Sequence, residues 1–400
     1  MRERPRLQAE RPAMRDALCV LSAISIVMGS GCEAGEGDRR DVSHPDGTPV
    51  AIDEHPALSV GVMEGDAAQE FFEVVTPFGI EGQGLVVPEA GANVVRVFDR
   101  SGELIRTLGG PGQGPGEFTG LRAAWPHADT IEAYDMDLRR ITRFLPDGSN
   151  QVIPLLDAPG SAEAVIPGRL EDGWAMMGIE SAGMGRRDQM VVHWFGADGA
   201  YRGEIARTQG MARFSSPGGP SGPDPLSPRA VFAVTKEAVY VGETLEPSIR
   251  IFDPAGILLE EIRWEPGGLV SPADALEQVL DSVLARSDPV EATAPREYLH
   301  SFPLRERISS FWDFILDDRG FVWVRRYDAA VHSMALDGSP LGGPGPGGEW
   351  SILTAEGEEV GRVQVPAGLE PMWISKEWVV GIHRDPLGVE SVRMHALRRR

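Results

Sequence analysis

The chain has 400 residues, 42% hydrophobic and 24% charged, a balance that excludes a disordered tail and leaves enough apolar surface for a real core. Its formal net charge is −22, and the 38 basic residues include only two lysines, Lys236 and Lys376. With no basic stripe in the acidic body, the composition argues against nucleic acid as a partner.

The two cysteines, Cys19 and Cys32, precede the region that reads as folded, so no internal disulfide staples the body. Residues 17–28 form the apolar run ALCVLSAISIVM, preceded by arginines and followed by Gly29, Ser30 and Gly31. That layout is a signal peptide over 1–31, and the run is shorter than the roughly 20 residues a membrane-spanning helix needs. Met14 is an alternative start within the same layout. Small residues directly before Cys32 resemble the lipobox of bacterial lipoproteins, although Gly29 stands where that pattern prefers Leu. The resemblance implies lipidation of Cys32, and Glu33 in place of Asp implies an outer-membrane location. An ordinary secretory signal with Cys32 as a free thiol is the alternative. Residues 32–57 are charged and rich in turn formers, and read as a tether.

Beyond residue 58 the chain repeats itself. Five segments share an alternating apolar run, a glycine turn and a second alternating run: VRVFDRSGELIRTL, ITRFLPDGSNQVIPL, VVHWFGADGAYRGEI, IRIFDPAGILLEEI and WSILTAEGEEVGRV. These are hairpins, and Gly102, Gly148, Gly199, Gly256 and Gly357 stand where the reversal needs positive φ. Four residues before each lies Phe98, Phe144, Phe195, Phe252 or Leu353, a bulky group at a fixed offset that suits packing between neighbouring sheets. The turn glycines recur at intervals typical of a propeller blade, except for a double gap before Gly357.

Two further strands precede each hairpin, making four-stranded units, and the double gap holds a helix near 271–286 and a Gly/Pro loop near 328–348. Ser271 caps that helix and Pro272 suits its first turn. Leu276, Val279, Leu280, Val283 and Leu284 line one face, which predicts packing onto the body. The last stretch supplies three strands, and residues 58–62 supply a lone one. Pairing them closes a ring of six blades over 58–398, an all-β, six-bladed propeller of four-stranded antiparallel sheets. A pair of β-sandwiches or an open solenoid leaves the orphan strand unexplained.

With GGPGQGPGEF at 109–118 and DPLGVESVRMHAL near the end, the body resembles the NHL-related, TolB-like propellers of exported bacterial proteins. The resemblance implies a scaffold and assigns no catalytic residue. The glycine-rich segment lacks the Lys-Ser/Thr of a phosphate loop and reads as a connector.

No catalytic set and no metal cluster can be nominated. The eight histidines show no i, i+4 pair, although His127 and His383 could meet in a central channel. Asp317 and Asp318 read as turn chemistry, and Asp135 and Asp137 as a solvated loop. No cofactor is evident. The densest aromatic and charged cluster lies in the fifth unit, where Trp312, Asp313, Trp323, Arg325 and Tyr327 are the candidate ligand-binding residues. Alternation puts Trp323 and Arg325 on one face of their strand, and interblade packing is the competing role for the tryptophans. The expectation is a noncatalytic binding or scaffold module for a protein, peptide or glycan. The alternative is a lyase- or lactonase-like propeller with a channel metal.

Overall fold

A computed structural model describes residues 26–28 and 50–399, apart from 64, 66–68, 81–83, 157–166, 216–220, 225, 268, 285–305, 333–346 and 386. Cys19 and Cys32 lie outside the described residues, as does most of the GGPGPGG loop.

The strands form six antiparallel sheets arranged as a propeller. Blade one runs Phe78–Ile80, Gly84–Glu89, Val94–Asp99 and Leu104–Gly109; blade two runs Leu121–His127, Thr130–Asp135, Arg140–Phe144 and Asn150–Pro154. Blade three runs Pro167–Leu170, Gly173–Glu180, Arg187–Gly196 and Tyr201–Ser215, with Ser221–Pro223 added to the last; blade four runs Ala230–Val234, Val239–Glu243, Ser248–Phe252 and Leu258–Arg263. Blade five runs Phe311–Leu316, Val322–Arg326, Gly348–Leu353 and Glu359–Val365. Blade six takes Leu369–Ile374, Trp378–Arg384 and Glu390–Arg399 from the carboxyl end and its outer strand from the amino end. Leu58–Val60 pairs with Val392–Met394, the closure expected from the sequence.

Part of the stretch expected as a tether, residues 50–52, is a strand. Val50–Ile52 also pairs with the last strand, Val50 opposite Arg399, so the ordered body begins ahead of residue 58. The physical reason is that Val50 and Ile52 pack against the core between blades five and six, a contact no local pattern announces. Ile26–Met28, in the apolar run near the amino end, pairs parallel with Ala230–Val234, the first strand of blade four.

Hydrophobic cores lie between adjacent blades. Phe98, Phe144, Phe195 and Leu353 are buried at their expected offset, while Phe252 is half-buried. All five turn glycines have φ between 78° and 89°. At Gly357 a second constraint operates, because a Cβ there would stand 2.0 Å from the carbonyl oxygen of Arg263 in the outer strand of blade four. The turn thus docks edge-on against its neighbour. Between blades two and three, the buried Glu132 carboxylate accepts from the indole N–H of Trp125 (2.9 Å) and Trp174 (2.8 Å) and from Arg143 (2.7 Å). The connector at 109–118 is latched by Arg140, which donates to the carbonyls of Gln113, Gly114 and Glu117.

Every inner strand starts, and every second strand ends, on one face of the ring. The insertions between blades three and four, between four and five, and within blade five after Arg326 therefore all emerge on that face. There they build a satellite core: Leu226 from the first, Ala275, Val279 and Ile308 from the second, and Ala329 with Tyr327 from the third.

Candidate functional site

Helix α1, Pro272–Leu284, forms as expected, with the Asp274 N–H donating to Ser271 Oγ (3.1 Å). Its described inward face is Ala275, Leu276, Val279 and Leu280; the side chains of Val283 and Leu284 lie outside the described set. Ser282 Oγ donates to the carbonyl of Ala330 (2.7 Å), tying α1 to the short helix α2, Ala329–His332. Asp328 Oδ1 accepts from the Ala330 N–H and starts that turn. The two helices roof the start of blade five.

Beneath them lies a cavity of about 540 Å³, whose lining includes Arg325, Tyr327, Asp328, His332 and Glu349, with Gln278 from α1. Its size falls in the range of small-ligand sites. Two of the expected residues, Arg325 and Tyr327, line it. Trp312 and Asp313 form the wall behind: the Trp312 ring stacks on His332 at 4.8 Å and 9°, with Tyr327 at 6.2 Å. Trp323 is elsewhere. It faces the core between blades five and six, and its indole N–H donates to Asp317 Oδ2 (3.2 Å). The alternation argument was correct for Trp323 and Arg325, but the strand carries only its far end out of the core and into the site.

Arg229, Gln278, His332 and Glu349 were not nominated from the sequence. Arg229 is 2% exposed; its guanidinium lies 3.9 Å over the Trp312 ring, donates to the Trp312 carbonyl (2.9 Å) and pairs with Asp313 at 3.3 Å. It directly precedes the first strand of blade four, and the side-by-side packing of blades four and five brings it to Trp312. His332 is 6% exposed, and its ring stacks on Trp312.

The electrostatics follow from burial. Burial, reinforced by Arg325 and Arg229, holds His332 well below its ordinary pKa, so the ring is neutral. Its Nδ1 accepts from the Asp328 N–H (2.9 Å), which leaves the proton on Nε2. Burial lowers Arg325 to about 10 against the opposing pull of Glu370 and Asp313, and burial also raises Tyr327. Arg325 Nη2, Tyr327 Oη and His332 Nε2 have no hydrogen-bond partner among the described residues. A buried donor left unsatisfied costs about 1–3 kcal/mol, so three in one wall call for a reason.

Elsewhere the carboxylates are structural. Asp317 accepts from the N–H groups of Arg319 and Phe321, and burial pushes its carboxyl up to about 6. Asp135, expected to be solvated, is fully buried and accepts from the N–H groups of Thr119 and Leu138. The reason is that the preceding connector, through Thr119 and Gly120, and the turn through Leu138 both close over it. Among the described residues no three His, Cys, Asp or Glu side chains are placed to hold a metal ion. His127 is beside Arg169 (3.3 Å), and the ring of His383 packs against Gly368.

No family model and no curated protein matches the chain. Among solved structures it is similar to a member of the DUF4221 family from Bacteroides vulgatus (TM-score 0.48, 11% identity, covering 89% of this chain and 100% of that one). It is also similar to a protein described as exported from Bacteroides fragilis (0.46, 12%, 94% and 100%). A gluconolactonase from Xanthomonas campestris is a further likeness (0.42, 12%, 82% and 87%). At these identities the likeness is one of fold.

Proposed function

We propose that this chain is an exported, NHL-related and TolB-like propeller, held at the outer membrane by lipid on Cys32, that acts as a noncatalytic binding module. Its ligand enters the loop-built cavity of blade five. The observation that carries this reading is the set of three buried donors that have no partner among the described residues, on residues that line one cavity. The three donors are poor proton carriers near neutrality: His332 is held neutral, Arg325 stays protonated and Tyr327 is pushed up. This supports holding a ligand over transforming it. No described helix is long and apolar enough to cross a membrane.

The test is native mass spectrometry of the full chain against a library of short peptides and oligosaccharides. Binding by one class, recovered with unchanged mass and abolished in Ala330→Trp, is the expected result. A product of altered mass, or binding indifferent to Ala330→Trp, would refute the reading.

A further inference from the structure

We infer that the blade-five cavity takes a neutral saccharide, an inference that rests on the binding-module reading and names its ligand class. The first argument is charge. The charged side chains in the lining cancel in pairs, Arg325 and Arg326 against Asp328 and Glu349. Behind the wall Arg229 pairs with Asp313 at 3.3 Å. An anion or cation entering so compensated a site brings an unmatched charge into partly buried surroundings, which is unfavourable.

The second argument is hydrogen-bond sense. Arg325 Nη2, the His332 Nε2–H and the Tyr327 hydroxyl find no acceptor among the described residues. The same lining carries acceptors in Asp328 and Glu349, and both kinds in Gln278. A carboxylate or phosphate answers only the donors and meets the two carboxylates with like charge. A sugar hydroxyl both donates and accepts, so adjacent hydroxyls on one ring answer both sets at once. Between the polar groups, Val270, Ala330 and Val331 offer an apolar strip, with the Tyr327 ring beside them, for the C–H face of a pyranose.

The experiment is calorimetric titration of the full chain with maltose, cellobiose, N,N′-diacetylchitobiose, glucuronate and alanyl-alanine. At least one neutral disaccharide should bind saturably. Tyr327→Phe, which deletes a single hydroxyl, should weaken it about five- to tenfold, and Ala330→Trp should abolish binding. Glucuronate binding alone overturns the charge argument, and unchanged affinity in Tyr327→Phe overturns the hydrogen-bond argument. Binding of alanyl-alanine alone, lost in Ala330→Trp, defeats the saccharide inference while the binding-module reading survives. If nothing in this panel or in the wider library binds, both fall.

Discussion

Gly148→Ala and Gly357→Ala occupy the same position in equivalent hairpins, with φ of 89° and 86°, yet their surroundings differ. A Cβ at Gly148 meets nothing within 4 Å, whereas one at Gly357 would stand 2.0 Å from the Arg263 carbonyl oxygen and 2.9 Å from its carbon. The first substitution therefore reports the left-handed backbone alone, about 1–2 kcal/mol. The second adds the displacement of the turn from blade four by roughly an ångström, a further cost of about 1–3 kcal/mol on the scale of overpacking. Urea unfolding followed by tryptophan fluorescence measures both. The expected order is wild type, then Gly148→Ala, then Gly357→Ala, with the last also raising amide exchange along Leu258–Arg263. Equal destabilisation of the two variants would show that edge-on docking of the turns contributes nothing to ring stability.

Three other outcomes follow from the structure. Glu132→Ala strands two indole N–H groups and the Arg143 guanidinium between blades two and three, and should cost about 3–5 kcal/mol; thermal unfolding checks it, with Glu132→Gln retaining part of the loss. Asp317, raised from 3.8 to about 6 by burial, binds its proton more tightly in the native state. Its contribution is full below pH 4 and is lost as pH rises through 6, so wild type should lose about 2–3 kcal/mol relative to Asp317→Asn over that window. Urea midpoints from pH 4 to 7 for the two proteins provide the check, and parallel curves would contradict it. Cys32→Ser should move the protein from the membrane fraction to the soluble one and abolish labelling by a palmitate analogue; persistence in the membrane fraction would exclude a lipid anchor at this residue.

The ring was legible because its information is local and repeated. A turn glycine and a bulky residue four positions earlier recur in five hairpins, and the surplus strand at one end matches the deficit at the other. Val50–Ile52 was missed because three residues in a polar stretch carry no period, and only the waiting edge of Glu390–Arg399 makes them a strand. The site was half legible. Trp312, Asp313, Arg325 and Tyr327 are dense in sequence, but Arg229 arrives from another blade, and nothing in its neighbourhood marks it. His332 failed for a related reason: the short helix that buries it is stabilised by Asp328 and by its bond to α1 rather than by its own composition.

The last sheet draws on both extremities of the chain, with Val50 opposite Arg399. During synthesis, the earliest strands emerge hundreds of residues before their partner exists, and they wait with unpaired edges. A circular permutant that joins the two ends through a short linker and opens at the Gly148 turn would make that sheet contiguous. It should then assemble faster than the natural order of segments allows.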